Sequence, residues 1–425
     1  MMIDLIIKAL EKLKVKEWKI IQKDVNSKEF FFVRDVLDMD RAKEVKKYEV
    51  TVYKEFVSGG KSYMGSSTVH IHPTMSESEA SAVLAKAYFA AGFVKNDPYP
   101  LVEPNKKKIG TSCKIFEDTQ KIIDSVLNTT VDGAWLNSSE FFLNHEKVRI
   151  LNSKGVDVSF EKDTLEVEFI TTAKAEGEEI ELYWNVKSSG FFSKLPNKVE
   201  EALKVTLERA KAQPTPKLKE VPVIFDLDGT KEILGYYVQR ASALNVYEHI
   251  SDAKIGEQMQ GNPKGSALTM YVDPTVKNSY FSRPFDNDGF ELKKIKIIDK
   301  GTLISYWGNV RFSYYLNSAP TGELTNFVVE GGEKSVEELR NGSYVELKSF
   351  SDFQMNPLTG DFAGEIRLGW YHDGKNVVPI TGGSVSGNIK DVQEEMEFSE
   401  EIVQDGNYVG PIALRIPNAK IAGIK

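Results

Sequence analysis

The stretch KAQPTPKLKEVPVIF, Lys211 to Phe225, decides how the chain is divided. Proline lacks a backbone N–H and restrains its predecessor, so Gln213-Pro214-Thr215-Pro216 cannot continue the helical pattern running from about Lys198 to Lys211. Beyond it, Val221 to Phe225 is a short apolar run of strand type. A domain boundary is therefore expected at about residue 217.

Working outward to the N-terminus, two units are expected. In residues 1–104, Ile3, Ile6, Ile7, Leu10 and Leu13 recur at helical spacing within an amphipathic opening helix. Tyr48 to Phe56 and Lys61 to His72 then read as two strands joined by Ser58-Gly59-Gly60, whose glycines suit a tight turn. Ser76 with Glu79 three residues later is a capping box opening a second helix, and the unit ends in a Pro-rich stretch from Asn96 to Pro104. In residues 105–216, a helix is expected over Ile115 to Leu127. Strands follow over Glu140 to Leu151, Val156 to Thr172 and Glu179 to Lys187, the first two joined by a turn at Asn152-Ser153-Lys154-Gly155.

Residues 217–425 carry many short apolar runs between Gly and Pro and little helical periodicity, which predicts a β-rich domain. Strands are expected at Val221 to Phe225, Ser266 to Val272, Leu303 to Trp307, Val345 to Phe350 and Glu365 to His372, with one helix over Lys231 to Leu244. The fold class is α+β: a mixed α/β N-terminal region followed by a β-rich C-terminal domain.

Composition narrows the function classes. Apolar residues make up 41% and charged residues 27% of the 425, which supports folded domains. One cysteine, Cys113, allows no intrachain disulfide and suits a reducing, cytoplasmic setting. No apolar run approaches the length of about 18 residues that a membrane-spanning helix needs, so no membrane role is expected. The net charge of −8, without a Lys/Arg-rich block, makes nucleic acid an unfavoured partner.

Chemical motifs are sparse: there is no nucleophile elbow, no phosphate-cradling loop and no His-Glu-x-x-His. Cys113 follows Thr111-Ser112 at an expected helix start, where a dipole could lower a thiol pKa, although an incidental cysteine is the simpler reading. His70 and His72 share a strand face and could be two zinc ligands, but no third stands nearby in sequence; His145, His249 and His372 are scattered singly. Asp286-Asn287-Asp288-Gly289 resembles the start of a calcium loop, yet Ile297 occupies the twelfth position where a glutamate is needed, so a turn is expected.

Several C-terminal phrases, taken in order, resemble the TldD/PmbA family of peptidase-like proteins, also named for modulation of DNA gyrase. They are Pro222-Val223-Ile224-Phe225, Ile255-Gly256-Glu257-Gln258, Ser282-Arg283-Pro284-Phe285-Asp286-Asn287-Asp288-Gly289 and Asp299-Lys300-Gly301-Thr302-Leu303. Then come Pro320-Thr321-Gly322, Thr325-Asn326, Gly331-Gly332, Asn356-Pro357-Leu358-Thr359-Gly360-Asp361-Phe362, Pro379-Ile380-Thr381, Ser386-Gly387-Asn388 and Lys420-Ile421-Ala422-Gly423. The resemblance implies two chains around a central cavity. It also implies, in the zinc-bearing branch, a His-Glu-x-x-x-His helix after the Pro-Val-Ile-Phe strand and a cysteine near the C-terminus.

This chain departs from that pattern. The helix falls at Gly235-Tyr236-Tyr237-Val238-Gln239-Arg240, or by sliding the register at Tyr247-Glu248-His249-Ile250-Ser251-Asp252, and the cysteine position falls near Val409. Neither register restores the ligand set, and a cationic Arg240 would repel zinc. The resemblance therefore implies the PmbA (TldE)-like branch: no metal or other cofactor at the family site, and no catalytic residue of its own. Such a subunit forms a homodimer, or a heterodimer with a zinc-bearing TldD-like relative, and guides unfolded peptide past Tyr236, Arg240, Asn326 and Asp361. The alternatives are an independent metal-dependent hydrolase using ligands such as His70 and His72, and a gyrase- or DNA-associated regulatory protein.

Overall fold

The computed structural model describes residues 2–111, 113–175 and 178–424. Ser112, invoked above as part of a helix start, and the terminal Lys425 lie outside the described residues. Helices hold 20% and strands 45% of the chain, with the helices concentrated toward the N-terminal half and the C-terminal region β-rich, so the class is α+β.

Residues before Lys211 build one seven-stranded sheet. Its members are β1 (Glu17–Val33), β2 (Val36–Ser58), β3 (Lys61–Ile71), β4 (Lys106–Ile109), β5 (Ala134–Asn152), β6 (Asp157–Ala175) and β7 (Glu178–Ser188). The order is β3-β2-β1-β5-β6-β4, with β7 also on β6. Helices α1 (Met2–Lys12) and α2 (Glu77–Ala91) cover one end, where Ile6, Leu10, Leu84 and Ala87 pack with Val50 and Val52. Helices α3 (Thr119–Leu127) and α4 (Leu195–Lys211) cover the other, over Phe141, Leu143, Leu165, Val167 and Phe169. Because β1 pairs with β5 from Lys19 to Val33, this sheet runs continuously through both residues 1–104 and residues 105–216.

Residues 17–47, to which the sequence pattern assigns no element, form β1 and the first half of β2. Apolar alternation is weak there because β1 is paired on both edges while its faces are only half covered. The first half of β2 projects past the end of β3 and is exposed from Val36 to Glu44. The capping box of α2 is present as expected, with Ser76 and Glu79 bonded reciprocally.

After the prolines the chain builds two further sheets. β8 (Gln213–Pro214) already belongs to the C-terminal part, pairing with Ile380 and Thr381, so the passage from one sheet system to the next falls between Lys211 and Gln213. β9 (Leu218–Phe225) pairs with strands Tyr344–Met355 and Leu414–Ala422. The last of these pairs with Ser384–Asn388, which pairs with Asp361–His372, which returns to Tyr344–Met355. Five strands thus close into a ring, and Phe225 packs there with Phe350, Phe353 and Phe362, meeting the last two edge to face.

The remaining sheet has six strands, running from Thr302–Leu303 through Met270–Val272 and Phe327–Val329 to Tyr408–Pro411 and, at its edge, Ile402–Asp405. Two expected strands shrink here: Ser266 to Val272 becomes Met270–Val272, and Leu303 to Trp307 leaves only Thr302–Leu303. Trp307 is spent instead on capping a helix, its Nε1–H donating to the Val238 carbonyl. The expected helix over Lys231 to Leu244 is α5 (Leu227–Arg240), stopped at Ala241 and followed by the short helix Ala243–Tyr247 with Ser242 as its N-cap.

Apolar and ionic contacts lock the two halves together. Phe285 packs among Ile150, Val156, Val158 and Phe160. Leu368 packs with Leu182 and Val205. Lys348 bridges Glu201 of α4 and Asp226, 2.7 Å from each.

Candidate functional site

β9 delivers the chain into α5 across a tight corner. Asp226 caps the helix, and Thr230 Oγ1 donates to the Phe225 carbonyl at 2.8 Å. Gly229 is required there, because a Cβ would stand 2.6 Å from Phe225 Cδ1. The helix is sunk into the C-terminal core through Ile233, Leu234, Tyr237 and Val238, and it lies against strand Tyr408–Pro411. Tyr237 OH donates to Gln393 Oε1 at 2.9 Å.

The face of α5 near its C-terminal end carries Gly235, Tyr236 and Arg240. A Cβ at Gly235 would meet no atom within 4 Å. Arg240 donates to Asp252 at 2.5 Å and lies over the Tyr236 ring, 5.7 Å from its centroid. The guanidinium holds the Asp252 carboxyl below its ordinary range, whereas burial raises the Tyr236 phenol. Asp361 is exposed next to this helix, since Gly360 approaches Tyr236 OH; it accepts from Thr359 Oγ1 at 2.7 Å and from Asn388 Nδ2 at 2.8 Å. Those two hydrogen bonds lower its pKa.

Asn326 stands apart from the other three. It is fully buried, donates to the Asp273 carbonyl at 2.8 Å and to Ser282 Oγ at 3.0 Å, and accepts from Ser279 Oγ at 2.5 Å. Its amide stitches residues 273–282 to the six-stranded sheet, so in this chain its polar atoms are occupied by protein.

The acidic loop is a turn. Asp286 Oδ1 accepts from the backbone N–H of Asp288 and Phe290, and Gly289 turns at φ +81. The other oxygen of Asp286 is buried with no hydrogen-bond partner, and burial beside Asp288 and Glu323 pushes the carboxyl up to about 7.

Among the remaining candidates, His70 and His72 are exposed, and His72 Nδ1 contacts Thr74 Oγ1 at 2.8 Å. His372 bonds the Gly342 carbonyl through Nδ1 and stacks on Tyr344. Burial raises the Cys113 thiol, as does the charge of Asp163, contrary to the lowering expected of a helix dipole; α3 begins only at Thr119. His145 is not isolated either: its Nδ1 lies 2.7 Å from Asp163 Oδ1. That pair was findable in principle, since both residues lie nine positions from Lys154 in the recognised Asn152–Gly155 turn.

A cavity of about 520 Å³ lies on the seam between β7 with α4 and the C-terminal half, lined by Lys187, Lys198, Lys231, Phe281 and the edge strand Ile402–Asp405. Asp405 pairs with both Lys198 and Lys231, at 3.5 and 3.4 Å. Sequence reasoning missed this group because its members come from three separate elements.

Residues 218–423 match the family model for the PmbA/TldA metallopeptidase C-terminal domain. This C-terminal half is of the TldD/PmbA family. Over 195 residues it is 26% identical to an uncharacterised protein of Methanocaldococcus jannaschii, covering 42% of this chain and 46% of that one, so the match spans less than half the relative's length. Solved structures share the fold along nearly the whole chain. TldE from Thermococcus kodakarensis superposes with a TM-score of 0.79 at 18% identity, covering 99% of this chain and 100% of that one. A candidate modulator of a DNA gyrase from Thermotoga maritima gives 0.78 at 17%, covering 99% and 100%. Another from Bacteroides thetaiotaomicron gives 0.77 at 16%, covering 99% and 98%.

Proposed function

We propose that this chain is the subunit without zinc of a TldD/PmbA-type peptide-processing assembly. In this reading it shapes a cavity and guides unfolded peptide, while a zinc-bearing TldD-like relative supplies the metal. The observation that carries the proposal is α5: at the place where the resemblance puts His-Glu-x-x-x-His, it presents Gly235, Tyr236 and an Arg240 already committed to Asp252. An imidazole pair holds zinc and positions its water, whereas a guanidinium–carboxylate pair does neither.

Peptide contact follows from the edge strand Ile402–Asp405, one wall of the seam cavity, where an extended peptide can add main-chain hydrogen bonds. Arg240 and Asp361 form a second surface for its side chains, whereas Tyr236, 3% exposed beside Arg240, and the buried Asn326 support it from behind. Among the described residues no helix is long and apolar enough to cross a membrane, and the single cysteine supports a cytoplasmic placement.

The test is a side-by-side peptidase assay of this chain, a zinc-bearing family member, and their mixture, each with and without chelator. Activity confined to samples containing the relative, with the mixture exceeding the relative alone and chelator abolishing both, supports the proposal. Chelator-sensitive cleavage by this chain alone, at the mixture's rate, overturns it in favour of an independent hydrolase. A salt-titrated DNA-binding assay addresses the gyrase-associated alternative, for which the −8 charge predicts no affinity.

A further inference from the structure

His145 on β5 and Asp163 on β6 are directly opposite in the antiparallel register, so their side chains share a face of the sheet. His145 is buried, with Nδ1 2.7 Å from Asp163 Oδ1, and its second nitrogen, Nε2, lies 3.6 Å from Glu161, two residues along β6 on the same face. The segment leading toward α3 crosses this face. The backbone N–H groups of Lys114 and Ile115 donate to Asp163 Oδ2 at 2.9 and 3.2 Å, and this fixes Cys113 beside the pair. One ligand atom from each of Cys113, His145 and Asp163 lies within 4.8 Å of the other two.

We propose that Cys113, His145 and Asp163 form a binding site for a thiophilic divalent cation of the Zn²⁺ class. Sulfur and nitrogen donors select such an ion over Mg²⁺ or Ca²⁺, which take oxygen ligands. Around a tetrahedral zinc, with bonds of about 2.0–2.3 Å, donor atoms stand roughly 3.3–3.8 Å apart, so the His145–Asp163 pair, 2.7 Å apart, must open slightly while the three donors, all within 4.8 Å of one another, close around the ion. Cys113 and Asp163 are both partly exposed, which gives an ion access and leaves a fourth position for water. With Nδ1 turned to the ion, the Nε2–H points at Glu161, the carboxylate–histidine–metal arrangement that orients metal-ligating imidazoles. Binding releases the thiol proton and ties residues 113–115 to the face of the sheet. The site uses no residue of α5 and lies outside residues 218–423, so it stands or falls independently of the proposed function.

The experiment uses the full-length protein, stripped with chelator and titrated with Co²⁺ alone and then Zn²⁺ alone. The expected result is one Co²⁺ per chain with a thiolate charge-transfer band, displaced by Zn²⁺. Cys113→Ser loses the band and binds Zn²⁺ about 100-fold more weakly, and Glu161→Gln keeps the band with affinity lowered about tenfold. Circular dichroism melts in chelator that overlay for wild type and variants establish that the folds are equal. Two results overturn the site: no charge-transfer band in the wild type, or Zn²⁺ affinity that Cys113→Ser and His145→Gln leave unchanged.

Discussion

Asp286 shows how one residue can be read two ways. Its sequence context suggests a calcium loop, but one carboxylate oxygen is spent on the backbone of its own turn and the other is buried without a partner. The groups around it are Asp288, Glu323 and the more distant Lys19, which is itself paired to Asp288 at 2.6 Å. The folded state therefore holds the Asp286 proton up to about pH 7, while an unfolded Asp releases it near 4. Stability from this group is full below about pH 4 and is lost as pH rises toward 7. Asp286→Asn removes that dependence and keeps an oxygen for the turn amides. The variant should gain stability relative to wild type between pH 4.5 and pH 8 in denaturant melts; a difference independent of pH would refute the assignment.

At the scale of elements, close approach rather than propensity decides what is allowed. Gly65 on β3 lies under the end of α2, where a Cβ would fall 1.8 Å from the Ala91 carbonyl oxygen and 2.5 Å from that of Val94. Gly65→Ala must push the helix off the sheet and should cost about 3 kcal/mol or more, read as a lowered denaturant midpoint. Ser76→Ala, which removes only one half of the capping box, should cost about 1 kcal/mol at the other end of the same helix. Equal losses from the two would mean that α2 can slide over β3. The capping box was legible because it is a local contact written in four residues. The Gly65 contact was not, because nothing near Gly65 in sequence shows that Ala91 will lie over it.

At the scale of the whole molecule, ion pairs cross between the two halves, and in one of them Lys348 is only 17% exposed between Glu201 and Asp226. Both carboxylates raise its pKa, so it stays charged at any physiological pH. Lys348→Met leaves Asp226 without its ion pair at the head of α5 and should destabilise the protein by about 2 kcal/mol. Denaturation followed separately by near-ultraviolet signals of the two halves should show them uncoupling; coincident, unshifted transitions would count against this. For the assembly, elemental analysis of the Cys113→Ser variant should find less than one zinc per chain, because α5 and Val409 offer no ligand set. A tightly held stoichiometric zinc in that variant would place a metal at the family position and defeat the non-zinc reading.

By itself the sequence determined the class of the protein and the order of its parts. Helical spacing in α1, the Ser76 capping box, the glycine turn at Gly59-Gly60 and the prolines at 214 and 216 act over a few residues, so they are visible without a fold. The absence of histidine from the α5 segment is visible in the same way. Only the tertiary structure decided that residues 1–211 share a single sheet, that five C-terminal strands close into a ring, and that Asn326 is interior. Cys113 and His145 look solitary in sequence because 31 residues separate them; the pairing of β5 with β6 and the clamp of Asp163 on the incoming loop bring them together. Side-chain chemistry and short-range propensity are local, whereas strand pairing and close packing join residues whose separation along the chain carries no record of their contact.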